Sequence, residues 1–156
     1  MTTAETEPAT VAKVVAYVMH EGRLLVFTHD DFPQAELGVQ VPAGTIEPGE
    51  APAEAAVREV AEETGLRARV VRPLGSGLYD FRPTKPEIHE RHFFHLEPED
   101  RSLPERWSAG EPHPRGGGTS PAWTCFWIPL ERAHVLSAGF GARLGGLCEP
   151  AGGGRA

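Results

Sequence analysis

Alternating runs of apolar and polar residues divide this chain of 156 residues into several strand-like segments around one longer helical segment. Residues 12–19, AKVVAYVM, are nearly all apolar, which predicts a strand covered on both faces. Glu21 and Gly22 then signal a turn, so residues 23–28 are expected to return as the second strand of a hairpin. Further strands are predicted over residues 40–42, 67–74, 78–82, 88–96 and 123–128.

A helix is predicted over residues 51–64 from its flanking residues and its apolar spacing. A loop rich in Pro and Gly precedes it, Pro52 suits a first helical turn, and Gly65 suits the end of a helix. On a wheel of about 100° per residue, one narrow stripe is expected to face the core. Its members are Ala53, Val57, Val60 and Thr64.

The rest of the pattern favours a single α/β (α+β) domain spanning residues 1–156, in which strands flank helices in a mixed sheet. A second helix is expected within residues 130–147, interrupted near Gly139 and Gly141. Residues 98–121 are rich in Pro, Gly and charge and are expected to form a long loop. The tails, residues 1–10 and 149–156, are expected to be mobile.

The predicted helix carries three carboxylates that the wheel places within an arc of about 100°, away from the apolar stripe. They are Glu59, Glu62 and Glu63, and Glu50 stands just before the helix. Side chains of like charge at this spacing destabilise a helix, whereas a hard divalent cation favours such a set of oxygens. The alternative interpretation is a helix face that is simply solvated, which is the usual role of charge runs.

The spacing of these residues within 44–66 follows the pattern G-x5-E-x7-R-E-V-x-E-E-x-G-L, with no departure. In this the chain resembles the Nudix hydrolases, whose fold is an α/β/α sandwich with a mixed sheet. The resemblance implies Mg²⁺ or Mn²⁺ as cofactor and hydrolysis of the diphosphate linkage in a nucleoside diphosphate derivative. A Nudix domain that binds a nucleotide derivative without catalysis, as a sensor or regulator, is the alternative.

The resemblance also implies roles for individual residues. Metal ligands would be Glu59, Glu62 and Glu63, with Glu50 and the backbone carbonyl of Ala43 as further contacts. Arg58 would orient the glutamates through charge-assisted hydrogen bonds. Glu59 is the first candidate for the base that activates water, and a base on the 98–121 loop is the other possibility. The candidates on that loop are Glu105, Glu111 and His113.

Composition narrows the partners. The formal net charge of −7 disfavours binding to DNA, to long RNA or to an anionic membrane surface. The chain has no run of about 18 apolar residues that could span a membrane. Two cysteines form neither a metal pattern nor a disulfide framework, so cytoplasmic localisation is the default. A homodimer is possible.

A nucleobase needs an aromatic or arginine platform, and residues after the helix offer several candidates. We expect Tyr79, Phe81 and Arg82 to contact substrate, and Trp107 is a further candidate. On the strand predicted over 88–96, His89, Arg91 and Phe93 should share one face. His89, His92 and His95 are three residues apart, so consecutive ones point to opposite faces of the strand and do not converge as a zinc site. Which nucleotide derivative is the substrate stays open.

Overall fold

The computed structural model describes residues 7–29, 39–109, 123–136 and 139–148. The elements in chain order are β1 (Ala9–His20), β2 (Arg23–His29), β3 (Ala43–Thr45), α1 (Pro52–Thr64), β4 (Ala68–Asp80), β5 (Glu87–Pro98), β6 (Arg106–Ala109) and β7 (Trp123–Pro129). Two 3-10 helices follow, at Leu130–Val135 and Leu144–Cys148.

The described strands form a mixed sheet in the order β4-β5-β1-β2-β7-β6, and β3 pairs with β1 outside that order. Strands β1 and β5 run parallel, with residues 9–18 of β1 beside 87–96 of β5. The other strand pairs are antiparallel. Because β1 lies between β5, β3 and β2, its five central residues, 14–18, have no exposed surface, as the apolar run predicted.

The sheet buries apolar residues on both faces. One face packs against α1, where Ala56 and Val60 meet Val14 and Phe94 of the sheet. The opposite face carries Val15, Tyr17 and Phe93, and apolar residues of the segments after β7 pack against it. This arrangement of a mixed sheet between two covering layers confirms the predicted α/β class.

Helix α1 begins and ends as its sequence predicted. Pro52 occupies the first turn, and the Ala51 N–H donates a hydrogen bond of 3.2 Å to the Glu54 carboxylate. Gly65 ends the helix with φ of 78°, a left-handed conformation that favours glycine, and its N–H donates to the Ala61 carbonyl at 2.9 Å.

The core face of α1 is rotated from the stripe that the wheel predicted. The buried residues of the helix are Ala55, Ala56, Glu59, Val60 and Thr64, whereas Ala53 and Val57 are only partly buried. The wheel predicted one apolar stripe facing a single surface. In the structure α1 also packs against β3, where the Glu59 carboxylate lies on Gly44. A buried carboxylate therefore occupies a position that the pattern had assigned away from the core.

Several strand predictions need correction. The strands expected over 67–74 and 78–82 are one strand, β4, with register shifts at Val70/Arg72 and Pro73/Gly75. The strand expected over 40–42 lies three residues later, as β3, and Gln40 makes only an isolated bridge to Phe27. Residues 9 and 10, expected in a mobile tail, begin β1.

The predicted loop over residues 98–121 contains a strand, because β6 pairs with residues 123–126 of β7. Residues 110–122 lie outside the part of the chain that the structure describes. In place of the second helix expected within 130–147, the described residues form two separate 3-10 helices, and the interruption expected near Gly139 and Gly141 lies between them. Gly139 has φ of 75°, a conformation that interrupts an α-helix.

Of the helices that the structure describes, none combines the length and the apolar character needed to cross a bilayer.

Candidate active site

The carboxylate of Glu59 lies directly against the backbone of Gly44. A methyl group built on Gly44 would overlap the whole Glu59 carboxylate. Gly44 is the residue on β3 opposite Val14, so the absence of a side chain there lets α1 bring Glu59 onto the sheet. Gly44 belongs to the Pro- and Gly-rich segment predicted as a loop before the helix, but in the structure this glycine permits the close approach of Glu59.

Arg58 donates hydrogen bonds to three glutamates, and a fourth, Glu47, lies 3.8 Å from its Nη1. Its Nε and Nη2 donate to the two oxygens of Glu50 at 2.7 and 2.9 Å, and its Nη1 donates to Glu59 at 2.9 Å and to Glu62 at 3.2 Å. Nη2 also donates to the Thr45 carbonyl at 3.0 Å, which ties the helix to β3. These contacts are charge-assisted hydrogen bonds of the kind that the resemblance implies for Arg58, and its role in orienting the glutamates for catalysis stays a prediction.

Glu63 and Glu59 form a close pair of carboxyl groups one helical turn apart. The two groups hydrogen bond to each other, and a Glu63 oxygen accepts a hydrogen bond from the Ala43 N–H at 3.2 Å. Burial raises the pKa of Glu63 well above its usual value, and the neighbouring charge of Glu59 raises it further. Simultaneous ionisation of the two carboxyl groups is therefore disfavoured.

Burial also raises the pKa of Glu59, although the hydrogen bonds from Glu63 and Arg58 act in the opposite direction. Glu50 behaves differently. The hydrogen bonds from Arg58 lower the pKa of Glu50 to about 2, so this carboxylate is ionised throughout the neutral range. The glutamates of residues 44–66 therefore differ in character: Glu50 is an anion bound to Arg58, whereas burial and the charge of Glu59 disfavour ionisation of Glu63.

The candidate metal-ligand atoms at this site are all oxygens, which suit a hard divalent cation such as Mg²⁺. Within the described ranges, no three His, Cys, Asp or Glu side chains are assembled as a ready set of metal ligands. The close Glu59–Glu63 pair at Ala43 is the part of the predicted site that the structure brings together. Glu50 and Glu62 face Arg58 instead, and the side chain of Glu62 is 58% exposed. The metal-ligand roles of these residues stay predictions.

Tyr79, Phe81 and Arg82 occupy three different environments. Tyr79 lines a cavity of about 350 Å³ between β4, β5 and residues 139–143, together with Arg91, Phe93 and Arg143. Phe81 stacks on His89 with ring centroids 4.7 Å apart. Arg82 is exposed and pairs with Asp80 at 2.6 Å. Of the three residues predicted to contact substrate, Tyr79 alone lines this cavity among the described residues.

The sequence missed the residues that surround Tyr79. The guanidinium of Arg91, itself 4% exposed, lies over the rings of Tyr79 and Phe140 at 4.1 and 4.6 Å from the centroids. No carboxylate is among the described residues that line the cavity. An available signal was that Arg91 shares a predicted strand face with Phe93, which the burial of both confirms.

The predicted loop bases have two outcomes. Glu105 is exposed and binds Arg23 in a bidentate pair at 2.6 and 3.1 Å, and hydrogen bonding to Arg23 lowers the pKa of Glu105. Glu111 and His113 lie outside the described residues. Trp107 packs against the α1 side of the core and donates from Nε1 to the Thr64 carbonyl at 2.8 Å.

Comparison with known proteins agrees with this geometry. The MutT protein from Methanosarcina mazei Go1 aligns with a TM-score of 0.59 and 18% identity, over 94% of this chain and 100% of that one. The E. coli ORF135 protein aligns with a TM-score of 0.58 and 21% identity, over 90% and 89% of the two chains. A UDP-X diphosphatase aligns with a TM-score of 0.57 and 19% identity, over 87% of this chain. This chain spans 58% of the length of that diphosphatase.

At these identities the structures show a common fold. The family follows from the sequence itself, because the model of the NUDIX domain matches residues 9–143. That match includes all of the described strands and α1. The chain therefore belongs to the NUDIX domain family, and the prediction of a Nudix hydrolase is confirmed at the level of the family.

Proposed function

We propose that this protein hydrolyses the diphosphate linkage of a nucleoside diphosphate derivative and that it requires Mg²⁺ or Mn²⁺. The observation that carries the proposal is the close Glu59–Glu63 pair, in which the buried Glu59 lies against Gly44 and is bordered by Arg58. Such a pair of carboxylates, each with a raised pKa, is a typical arrangement at sites that bind a cation or transfer a proton. The surrounding residues give each member a distinct role.

In this proposal Glu59, Glu62, Glu63 and Glu50 hold the cation together with the carbonyl of Ala43. When bound, the cation neutralises the charge of the diphosphate and lowers the pKa of the attacking water. The N–H of Ala43 fixes one oxygen of Glu63, and Arg58 fixes one oxygen of Glu59. These hydrogen bonds restrict the rotamers of both glutamates, so the carboxylates are oriented before substrate arrives.

Glu59 is the residue that we propose to accept the proton of the attacking water. Glu59 as a whole residue is 9% exposed, and burial raises the pKa of its carboxylate, which makes it a stronger base than an exposed glutamate. Water attacks one phosphorus and the phosphate on the other side departs with the bond electrons, so each product carries phosphate. Arg58 stays bound to Glu50 and acts on Glu59 without contact with the reacting atoms.

We propose that the cavity beside Tyr79 receives the organic part of the substrate. Arg91 and Arg143 supply hydrogen-bond donors there, and Tyr79 and Phe93 supply apolar surface. A volume of about 350 Å³ lies within the range of small-molecule pockets. The fold neighbour named UDP-X diphosphatase is in keeping with a substrate of this class.

A panel of nucleotide sugars, dinucleoside polyphosphates, ADP-ribose and nucleoside triphosphates, assayed with Mg²⁺ and with Mn²⁺, tests the proposal. We expect metal-dependent release of a phosphate-bearing fragment from at least one member, and loss of that release in Glu59→Gln and Glu63→Gln. Glu54→Gln is the matched control, because Glu54 lies on the same helix and caps its first turn. Tight binding of a panel member without turnover would instead favour the sensor function.

A further inference from the structure

Lys13 is the charged residue that directly precedes the buried run 14–18 of β1. It lies on β1 with Arg91 of β5 as its partner on one side and Thr45 of β3 as its partner on the other. Because register partners on adjacent strands point to the same face, Lys13 and Arg91 place two cations side by side. Two like charges on neighbouring strands are unfavourable unless an anion compensates them.

The described residues give Lys13 one side-chain hydrogen-bond partner and no contacting carboxylate. The Nζ of Lys13 donates to the Thr45 hydroxyl at 2.6 Å. Among the described residues, no carboxylate oxygen lies within 4.0 Å of that Nζ. An ammonium group has three donors, so two stay available to a ligand. Glu87 and Glu59 attract the charge of Lys13 from further away, whereas Lys85 and Arg91 oppose it.

Thr45 connects Lys13 to the carboxylates of α1. Its hydroxyl accepts from Lys13, its carbonyl accepts from Arg58, and it directly follows Gly44, on which the Glu59 carboxylate lies. Lys13 is therefore a cation at the edge of the candidate active site that faces the sheet surface carrying Arg91 and Tyr79.

We propose that Lys13 is a substrate-binding residue that donates a hydrogen bond to a phosphate oxygen of the diphosphate. Lys13 holds this phosphate between the glutamates of residues 44–66 and the cavity beside Tyr79. This inference rests on the proposed function. It explains why an acidic protein of net charge −7 keeps a cation without a carboxylate partner next to a buried arginine. The guanidinium of Arg91, fixed between two aromatic rings, adds to the positive potential at the same position.

The competing explanation is structural, since the Lys13–Thr45 hydrogen bond joins β1 to β3. Lys13→Gln separates the two, because an amide still donates to Thr45 but carries no charge, and Lys13→Arg restores the charge. Thr45→Val removes the hydrogen bond and keeps Lys13. Lys85→Gln is the control for a general loss of positive charge, because Lys85 is exposed and is an electrostatic neighbour of Lys13.

The experiment measures calorimetric binding of methylenediphosphonate with Mg²⁺, together with kcat and KM on the panel substrate. We expect Lys13→Gln to weaken diphosphonate binding and raise KM by about 10- to 100-fold, with a smaller effect on kcat. Lys13→Arg should recover most of the affinity, and Lys85→Gln and Thr45→Val should bind nearly as wild type.

Two results would overturn the inference. If wild type turns over substrate and Lys13→Gln matches Lys85→Gln in affinity and KM, Lys13 does not bind phosphate and the proposed function still stands. If wild type neither binds methylenediphosphonate nor hydrolyses any panel member, the proposed function fails, and the role of Lys13 fails with it.

Discussion

Gly44→Ala is the substitution whose effect the structure defines most sharply. The new methyl group would overlap the Glu59 carboxylate, which must withdraw by about 1 Å to reach ordinary contact distance. Withdrawal stretches the 2.9 Å hydrogen bond from Arg58 and moves Glu59 relative to Glu63. A shift of that size at reacting groups reduces turnover by about 100-fold, and crowding costs about 1–3 kcal/mol of folding free energy.

Steady-state kcat with Mg²⁺ and thermal unfolding by circular dichroism measure the two effects separately. Gly145→Ala is the control, because a methyl group there meets no atom within 4 Å and the residue has no left-handed φ. The control should keep wild-type turnover. A Gly44→Ala protein that is folded and retains kcat within about threefold of wild type would refute the argument that Glu59 must lie against Gly44.

Three further predictions concern the same site. A lysine at position 58 cannot bind Glu50 through two nitrogens and contact Glu59 as well, so we expect Arg58→Lys to lower kcat or Mn²⁺ affinity by about 10- to 100-fold. The control is Arg69→Lys in the exposed pair with Glu97, which should change neither quantity. The pKa of Glu63 in the folded protein lies above 4.5, so metal-free protein should lose stability as pH rises above that value. Because Mg²⁺ compensates the ionised carboxylates, saturating Mg²⁺ should raise the melting temperature more at pH 8 than at pH 5. Equal increases at the two pH values, measured by scanning calorimetry, would contradict this prediction. Loss of a catalytic base lowers kcat by about 10²- to 10⁴-fold, and we expect no such loss in Glu105→Gln. The reason is that hydrogen bonding to Arg23 lowers the pKa of Glu105, which makes it a poorer base. Initial rates of hydrolysis measure this.

Local signals explain which parts of the structure the sequence could predict. Helix α1 depends on Pro52, Glu54 and Gly65, which act within a few residues of chain, so its bounds were predicted to within one residue. The buried strand β1 followed from an unbroken apolar run. The charged residues of 44–66 were identified by spacing, and the structure brings Arg58 into contact with three of them.

Features that depend on contacts between distant segments could not be predicted in this way. The reason for Gly44 is visible only when Glu59 of α1 is placed on β3. The position of Lys13 beside Arg91 depends on the parallel pairing of β1 with β5, across 78 positions of the sequence. The segment after β7 packs on the sheet through Phe140 and Leu144, and its glycines disfavour a continuous α-helix.

The central claim is that the carboxylates of α1 bind the divalent cation on which hydrolysis depends. Titration of Mn²⁺ into the protein, followed by the electron paramagnetic resonance signal of the free ion, tests it without any knowledge of the substrate. We predict saturable binding to wild type and to Glu54→Gln, and loss of that binding in the double variant Glu59→Gln/Glu63→Gln. Undiminished Mn²⁺ binding by the folded double variant would contradict the account.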